Sequence, residues 1–376
     1  MSTAVTDSRL DIVARAGELR ARFAERAAEY DVDGRFVEEN YQDLKEHRFL
    51  AGLVPVELGG EGVLHSEMCE ALCIIGGACG STALALSMHQ HLVAASVWKY
   101  RRGQGGEAML KKVADSQPVF VSTGANDWLA SSGEMVKTEG GYLVSGAKHF
   151  ASQSAVGDVM VTSAAYNHPE EGWQVLHFPL PMNSEGITVL NNWDTMGMRG
   201  TGSHSIRLEN VFVPEPSIAL ARKRGDYHPV WNVVLGVAMP LIMSAYVGIA
   251  ERAAELAVAS VRDASRPRSY STSAIGELNN VLTTARLNWK DMIRISDNYG
   301  FDPVDSVGHE ILTRKTNTAN AAIEVVTRAM DIVGGSGYFR AKEMERLFRD
   351  VQAAKYHPLQ RAEQIEFSGN FLLKSV

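Results

Sequence analysis

The apolar residues of this chain change their spacing twice. From Ser8 to about Lys112 they recur every three to four residues, as in "DIVARAGELRARFAERAAEY" and "TALALSMHQHLVAASVWKY", with "VPVELGGEG" as a glycine-rich break. That is the period of helices with one buried face. Near Gln117-Pro118 the period drops to two. "GEMVKTEGGYLVSGAKHF" reads as a hairpin turning at Gly140-Gly141, and "DVMVTSA", "WQVLHFPL", "GITVL" and "SHSIRLENVFVP" read as further short strands. After Pro216 and the polar "ARKRGDYHP", helical spacing returns over about 230 to 264, 274 to 299 and 304 to 333. Long segments of this kind pack as antiparallel bundles. The expectation is an α+β multidomain chain, with a helical domain over residues 1–115, a β-sheet domain over 116–226 and a helical bundle over 227–376.

Composition narrows the function classes. With 376 residues, 45% hydrophobic and 22% charged, the chain has the make-up of an ordinary soluble globular protein, and its net charge of -7 gives no basic footprint for nucleic acid. The N-terminus lacks a basic region followed by an apolar core, so a cytoplasmic protein is expected. The longest apolar run, His228 to Ala250, is interrupted by Pro240 and continues into "ERAAEL", so it reads as buried helix and no membrane span is expected. Cys69, Cys73 and Cys79 fall in one apolar helical stretch with no histidine at metal spacing, so they read as buried thiols and no metal site is expected. "GGSG" near Gly334 follows no strand and lacks the spacing of a dinucleotide fingerprint; its glycines stop a helix.

Four motifs in order carry a resemblance: "GLVPVELGGEG", "GGYLVSGAKHFAS", "WDTMGMRGTGSHSIRLENVFVP" and "GGSGYFRAKEMERLFRD". Together they resemble the acyl-CoA dehydrogenase superfamily of flavoproteins over nearly the whole chain. The resemblance implies an α-helical N-terminal domain, a β middle domain, a C-terminal four-helix bundle, a flavin between the last two, and a homotetramer. It maps a flavin-contacting hydroxyl onto Ser122, and an aromatic and a hydroxyl beside the ring onto Phe150 and Ser152. Without it, Ser122 and Ser152 would read as caps at strand edges. Arg199 reads as a surface charge and Trp193 as either a core residue or a substrate neighbour. The phosphates of FAD would meet Arg268, with Arg266 as the alternate, and Gly334 and Gly335 form the turn on the adenosine side. Two departures, Tyr270-Ser271 for Phe-Gly and Asp331 for a glutamine, leave FMN or reduced flavin as alternatives to FAD.

The third departure concerns chemistry. Dehydrogenases of this family take an α-proton with a carboxylate while a hydride passes to flavin N5. Where most relatives have the glutamate of Tyr-Glu-Gly-Thr, this chain has Tyr356-His357-Pro358-Leu359. Glu255 and Asp263 read as solvated helix positions. His357 is therefore the candidate base, and a helix-capping histidine is the competing reading. His89 and His91 point in different directions on one helix, so one of them can border the substrate; His89 is preferred, with a surface role as the alternative. Three functions follow. The first is oxidation of the CH-CH group of an acyl thioester with a non-glutamate base and an electron-transfer flavoprotein as partner. The second is the oxygenase component of a two-component monooxygenase, fed by a flavin reductase, with Ser152, His89 and His357 as hydrogen-bond donors. The third is a flavin- or acyl-binding protein without catalysis.

Overall fold

The computed structural model describes residues 10–123, 127, 129–265 and 269–374. Five helices come first: α1 (Ile12–Asp33), α2 (Glu38–Glu46), α3 (His65–Ala78), α4 (Gly80–Arg101) and α5 (Glu107–Ser116). Eight strands follow: β1 (Phe120–Ser122), β2 (Glu134–Thr138), β3 (Gly141–Lys148), β4 (Val159–His168), β5 (Gly172–Pro181), β6 (Ile187–Val189), β7 (Ile206–Pro214) and β8 (Leu220–Lys223). The chain ends in α6 (Val230–Arg262), α7 (Ser271–Ser296), α8 (Asp305–Val333), α9 (Glu343–Val351) and α10 (Arg361–Lys374). The change from helical to alternating spacing and back is thus reproduced as helices, sheet and helices.

The strands form one sheet in the order β6-β7-β3-β2-β4-β5-β8, with β1 also paired to β4. β1 and β2 share one edge of β4, both parallel to it: Phe120 pairs with Val159 and Glu134 with Ala165. The hairpin turn brings Thr138 opposite Gly141. One strand escaped the sequence reading. "LARK", taken as part of a polar linker, is β8, paired antiparallel to β5, and its Arg222 is buried. Its alternation is hidden because the inward residue is charged.

The helical thirds, separated by the sheet in sequence, share one apolar core. It runs from Ile12, Phe23 and Leu44 through Leu72 and Leu86 to Leu241, Tyr246, Ile311 and Leu347, whereas the sheet buries a smaller set of its own around Val144, Phe178 and Leu208. α6 lies at the centre of the larger core, so its apolar length is explained by burial. Pro240 sits inside α6 and supplies no N–H to the carbonyl of Gly236. The Ser296 hydroxyl donates to that carbonyl at 2.5 Å and so gives it a partner in place of the missing N–H.

α3 crosses α6 at backbone distance. A Cβ on Gly248 would lie 2.0 Å from the carbonyl oxygen of Cys73, and one on Gly76 2.6 Å from that of Ala245. Neither carbonyl can move aside without shifting a helix. Gly248→Ala is therefore expected to lower stability by about 3 kcal/mol, the upper part of the range for overpacked cores, although alanine is the better helix former. Denaturant unfolding checks this, and a variant as stable as wild type would show that the helices slide apart freely.

Candidate active site

β1 is short and needs help to hold its place. Its first residue, Phe120, donates its N–H to Nδ1 of His89 at 3.2 Å and receives Gln153 Nε2 at its carbonyl at 2.5 Å. Gln153 is in turn bonded through Oε1 by the Tyr41 hydroxyl. Because Nδ1 of His89 accepts, Nε2 carries the proton and donates to the Leu50 carbonyl at 3.0 Å. The ring stacks on Phe120, and burial pushes its pKa down to about 4. His89 is thus a neutral fastener with both nitrogens taken by backbone, and it has none to offer a substrate or an oxygen species.

Two residues beyond, Ser122 is half-buried, and its hydroxyl meets the Met88 sulfur at 3.9 Å, a weak acceptor. The loop that follows is tied down by a buried ion pair. Lys148, fully buried at the end of β3, places Nζ 3.1 and 3.0 Å from the two oxygens of Asp127. The same ammonium donates to the carbonyls of Ser132 at 2.6 Å and Ser163 at 2.5 Å. Asp127 also accepts from Thr123 Oγ1 and from the Ser132 amide at 3.0 Å. Asp127 is therefore fastened to β3 and to Thr123 and Ser132 on either side of it.

Phe150 and Ser152 follow β3. Phe150 is 56% exposed, holds a φ of +55°, and meets Trp193 edge to face at 5.9 Å. Trp193 is partly buried and donates Nε1 to the Met198 carbonyl at 3.1 Å. Ser152 is buried and accepts from the Ser203 hydroxyl at 2.9 Å, which leaves its own proton as a donor. Arg199, expected as a surface charge, is a pin: Nε donates to the Asp31 carbonyl at 2.7 Å and an Nη to Asp194 at 2.8 Å. The small residues of this turn serve close approach, since a Cβ on Gly197 would lie 2.4 Å from the carbonyl oxygen of Arg349.

The Arg349-Asp350 pair secures the segment that leads to His357. Arg349 is bidentate to Asp31 at 2.8 and 2.6 Å and reaches Glu345 at 2.6 Å, while Asp350 accepts the Met198 amide at 2.5 Å. Burial raises the Asp350 pKa to about 6 even so. After a 3-10 turn over Gln352–Tyr356, His357 caps the turn, and its Nε2 lies 2.6 Å from the hydroxyl of Tyr246 on α6. Tyr246 is fully buried, which holds its phenol well above the ordinary value and therefore protonated. His357 is partly exposed as a residue, but burial of its ring, aided by the nearby Lys315 ammonium, takes its pKa down to about 3. When the phenol donates to Nε2, the proton of the neutral imidazole sits on Nδ1.

No other acid stands in for the missing glutamate on α6. Glu255 is exposed and paired with Arg20 at 3.0 Å and Arg252 at 3.1 Å, and Asp263 is exposed beside Arg262 at 3.1 Å. Next to His357 opens a cavity of about 870 Å³ whose lining includes Leu129, Tyr227, Pro358, Leu359, Phe367 and Phe371. Its size suits a small organic molecule, and its lining is mixed, with Asp305, Glu363, Glu366 and Lys374 beside the aromatic residues.

Leu129 and the turn after His357 thus line one cavity, whose lining does not include Ser122. Gly334 and Gly335 do not join them within one chain. They begin the 3-10 turn at the far end of α8, nineteen or more residues from Lys315, roughly 28 Å along the axis at 1.5 Å per residue. A Cβ on Gly335 would meet open space. Arg268 and Arg266 lie outside the described residues. The three cysteines are free and buried, and among the described residues no group of His, Cys, Asp or Glu is placed to hold a metal. Sequence reasoning missed Tyr246, Lys315, Lys148 and Asp127. The only signal for Tyr246 is that it is one of few polar-tipped residues, with Asn232 and Ser244, inside an otherwise apolar helical run.

Comparison with known proteins agrees with this architecture. Profiles for the acyl-CoA dehydrogenase N-terminal, middle and C-terminal domains match residues 12–117, 123–211 and 240–361. The chain belongs to the acyl-CoA dehydrogenase family. It is 26% identical to the cyclohex-1-ene-1-carbonyl-CoA dehydrogenase of Syntrophus aciditrophicus, over 89% of this chain and 82% of that one. It is also 24% identical to the amino sugar nitrososynthase RubN8 of Streptomyces rubradiris, over 98% of this chain and 90% of the relative. Among solved structures, KijD3 in complex with FMN and dTDP-3-amino-2,3,6-trideoxy-4-keto-3-methyl-D-glucose superposes with a TM-score of 0.87 at 25% identity, covering 96% of this chain and 93% of that one.

Proposed function

We propose that the protein is a flavin-dependent oxidoreductase and, within that class, the oxygenase component of a two-component monooxygenase. The observation that carries this reading is the neutral His357–Tyr246 pair in the position where a dehydrogenase of this family keeps its carboxylate. A base must hold the proton it removes, and an imidazole whose pKa lies near 3 is a poor proton acceptor at neutral pH. The same ring, neutral and fixed, is a competent hydrogen-bonding group in a dry pocket. The relatives include a dehydrogenase and an amino sugar nitrososynthase, and the similar structure KijD3 was solved with FMN and an amino sugar nucleotide.

The chain's own groups fit a flavin ring. Ser122 has a hydroxyl with only a soft partner, Ser152 retains a donor, and Phe150 offers an exposed apolar face. A flavin bound there would supply the redox step, as FMN, FAD or reduced flavin delivered by a reductase. Ser122 and Ser152 then orient its polar edge, His357 keeps Nδ1–H as a neutral donor while Tyr246 holds the ring through Nε2, and Leu129, Leu359 and Phe367 supply apolar wall for a small-molecule substrate. Gly334 and Gly335 would reach the adenosine half of an FAD only from a second copy, consistent with a homotetramer.

Acyl-thioester oxidation is the competing reading, supported by the dehydrogenase relative and burdened by the missing acid. Flavin absorbance under two conditions separates the two. The oxygenase reading expects reduced flavin, O2 and a reductase to be required for product, with no bleaching of oxidised flavin by acyl-CoA in the absence of oxygen. Anaerobic bleaching by an acyl-CoA would overturn it.

A further inference from the structure

Lys315 lies on α8 with 1% of its surface exposed, and among the described residues it forms no ion pair. A buried ammonium is ordinarily placed against a carboxylate. Its Nζ instead donates to two backbone carbonyls, His357 O at 2.7 Å and Leu359 O at 2.8 Å. Those carbonyls flank Pro358, which has no N–H with which to close the turn. They also fall where the 3-10 turn ends, the place where a helical segment leaves carbonyls without partners. One lysine therefore replaces the backbone bonds this turn cannot make.

We propose that Lys315 is a positioning residue, a staple across Pro358 that sets the His357 ring on the Tyr246 hydroxyl without itself meeting substrate. The two bonds are charge-assisted and stronger than neutral ones. They fix the His357 backbone from α8 while the ring is fixed from α6, so the imidazole is held from two directions. The groups acting on this arrangement are Tyr246 from α6, Lys315 from α8, Glu363 of α10 on Lys315, and Asp350 of α9 on Tyr246. A staple made of a charge also disfavours a second charge on the ring beside it, which adds to the larger effect of the ring's burial. Its consequence for turnover rests on the oxygenase reading; the placement of the ring does not.

Nitrogen NMR of the histidine-labelled, flavin-loaded protein tests this. The His357 ring signal is identified by its loss in His357→Gln. In wild type it is expected to stay neutral down to pH 5. In Lys315→Met it is expected to titrate with a midpoint above about 5, closer to a free imidazole. Turnover of that variant is expected to fall at least roughly tenfold in kcat with little change in KM, as a misplaced group does. Lys315→Arg, which keeps the charge and two donors, is expected to restore the neutral ring. A second measurement needs no variant. Burial holds the Lys315 pKa at about 8, so the wild-type His357 signal is expected to shift between pH 7 and 9 as the staple loses its charge. A ring signal that is flat over that range overturns the proposal even if Lys315→Met does not fold, and so does a ring that behaves alike in wild type and Lys315→Met. A ring released in Lys315→Met, in a protein whose wild type shows no oxygenase activity, upholds the staple and sinks the oxygenase reading alone.

Discussion

Lys148→Met is expected to lower stability by about 3–5 kcal/mol, the cost of leaving one member of a buried ion pair without its partner. Lys148 is completely buried, and its ammonium is the only cation 3.0 to 3.1 Å from the oxygens of Asp127 among the described residues. Burial lowers the lysine pKa and Asp127 opposes that shift, so each charge depends on the other. Without the lysine, Asp127 keeps the Thr123 and Ser132 donors but loses its counter-charge, and the carbonyls of Ser132 and Ser163 each lose a charged donor. The ties from Asp127 to Thr123 and Ser132 should loosen, so flavin affinity should fall along with stability. Urea unfolding measures the first and flavin titration the second. The double variant Lys148→Met/Asp127→Asn should recover part of the stability, because it removes the stranded charge. Equal stability of wild type and Lys148→Met would show that the pair contributes nothing.

The second large effect is on turnover. His357→Ala is expected to lower it at least roughly a hundredfold if the ring takes part in handling protons or hydrogen bonds at the reacting centre. The loss should appear mainly in kcat, since the cavity is lined by the neighbours Pro358 and Leu359 and not by His357 itself. Removal of the ring also strands the Tyr246 hydroxyl in a buried position, at about 1–3 kcal/mol of stability, so folding must be checked by circular dichroism. Tyr246→Phe removes the partner and leaves the ring, and should lose less. Near-normal turnover of His357→Ala in a folded, flavin-loaded protein would take the residue out of the mechanism.

The order of helices, sheet and helices was legible because each third repeats one apolar period many times over. β8 was not, because its inward residue is Arg222 and the alternation reads as polar. The substitution of histidine for the expected acid was visible from motif alignment alone. Its consequence was not, because it depends on Tyr246 and Lys315, which lie 111 and 42 residues away in sequence and reach it only through packing. His89 shows the opposite case. A histidine in an apolar helix suggested a site, yet both its nitrogens serve the strand start at Phe120 and the carbonyl of Leu50. Arg199 and Arg349 likewise looked like surface charges or framework, and only the fold reveals that both grip Asp31.

The shared core of the two helical thirds has a consequence for synthesis. Cys73 and Gly76 of α3 meet their backbone partners on α6 only once Gly248 and Ala245 exist, roughly 170 residues later. At 5–20 residues per second the ribosome needs roughly ten to thirty seconds to make that stretch. During this interval the side of α3 that meets α6 has no cover, although α1 and α4 already pack on it elsewhere, while the sheet, with its separate core, can close on itself. The nascent chain therefore passes through a stage with a finished middle and an unfinished outside, and holding factors would have their greatest value then.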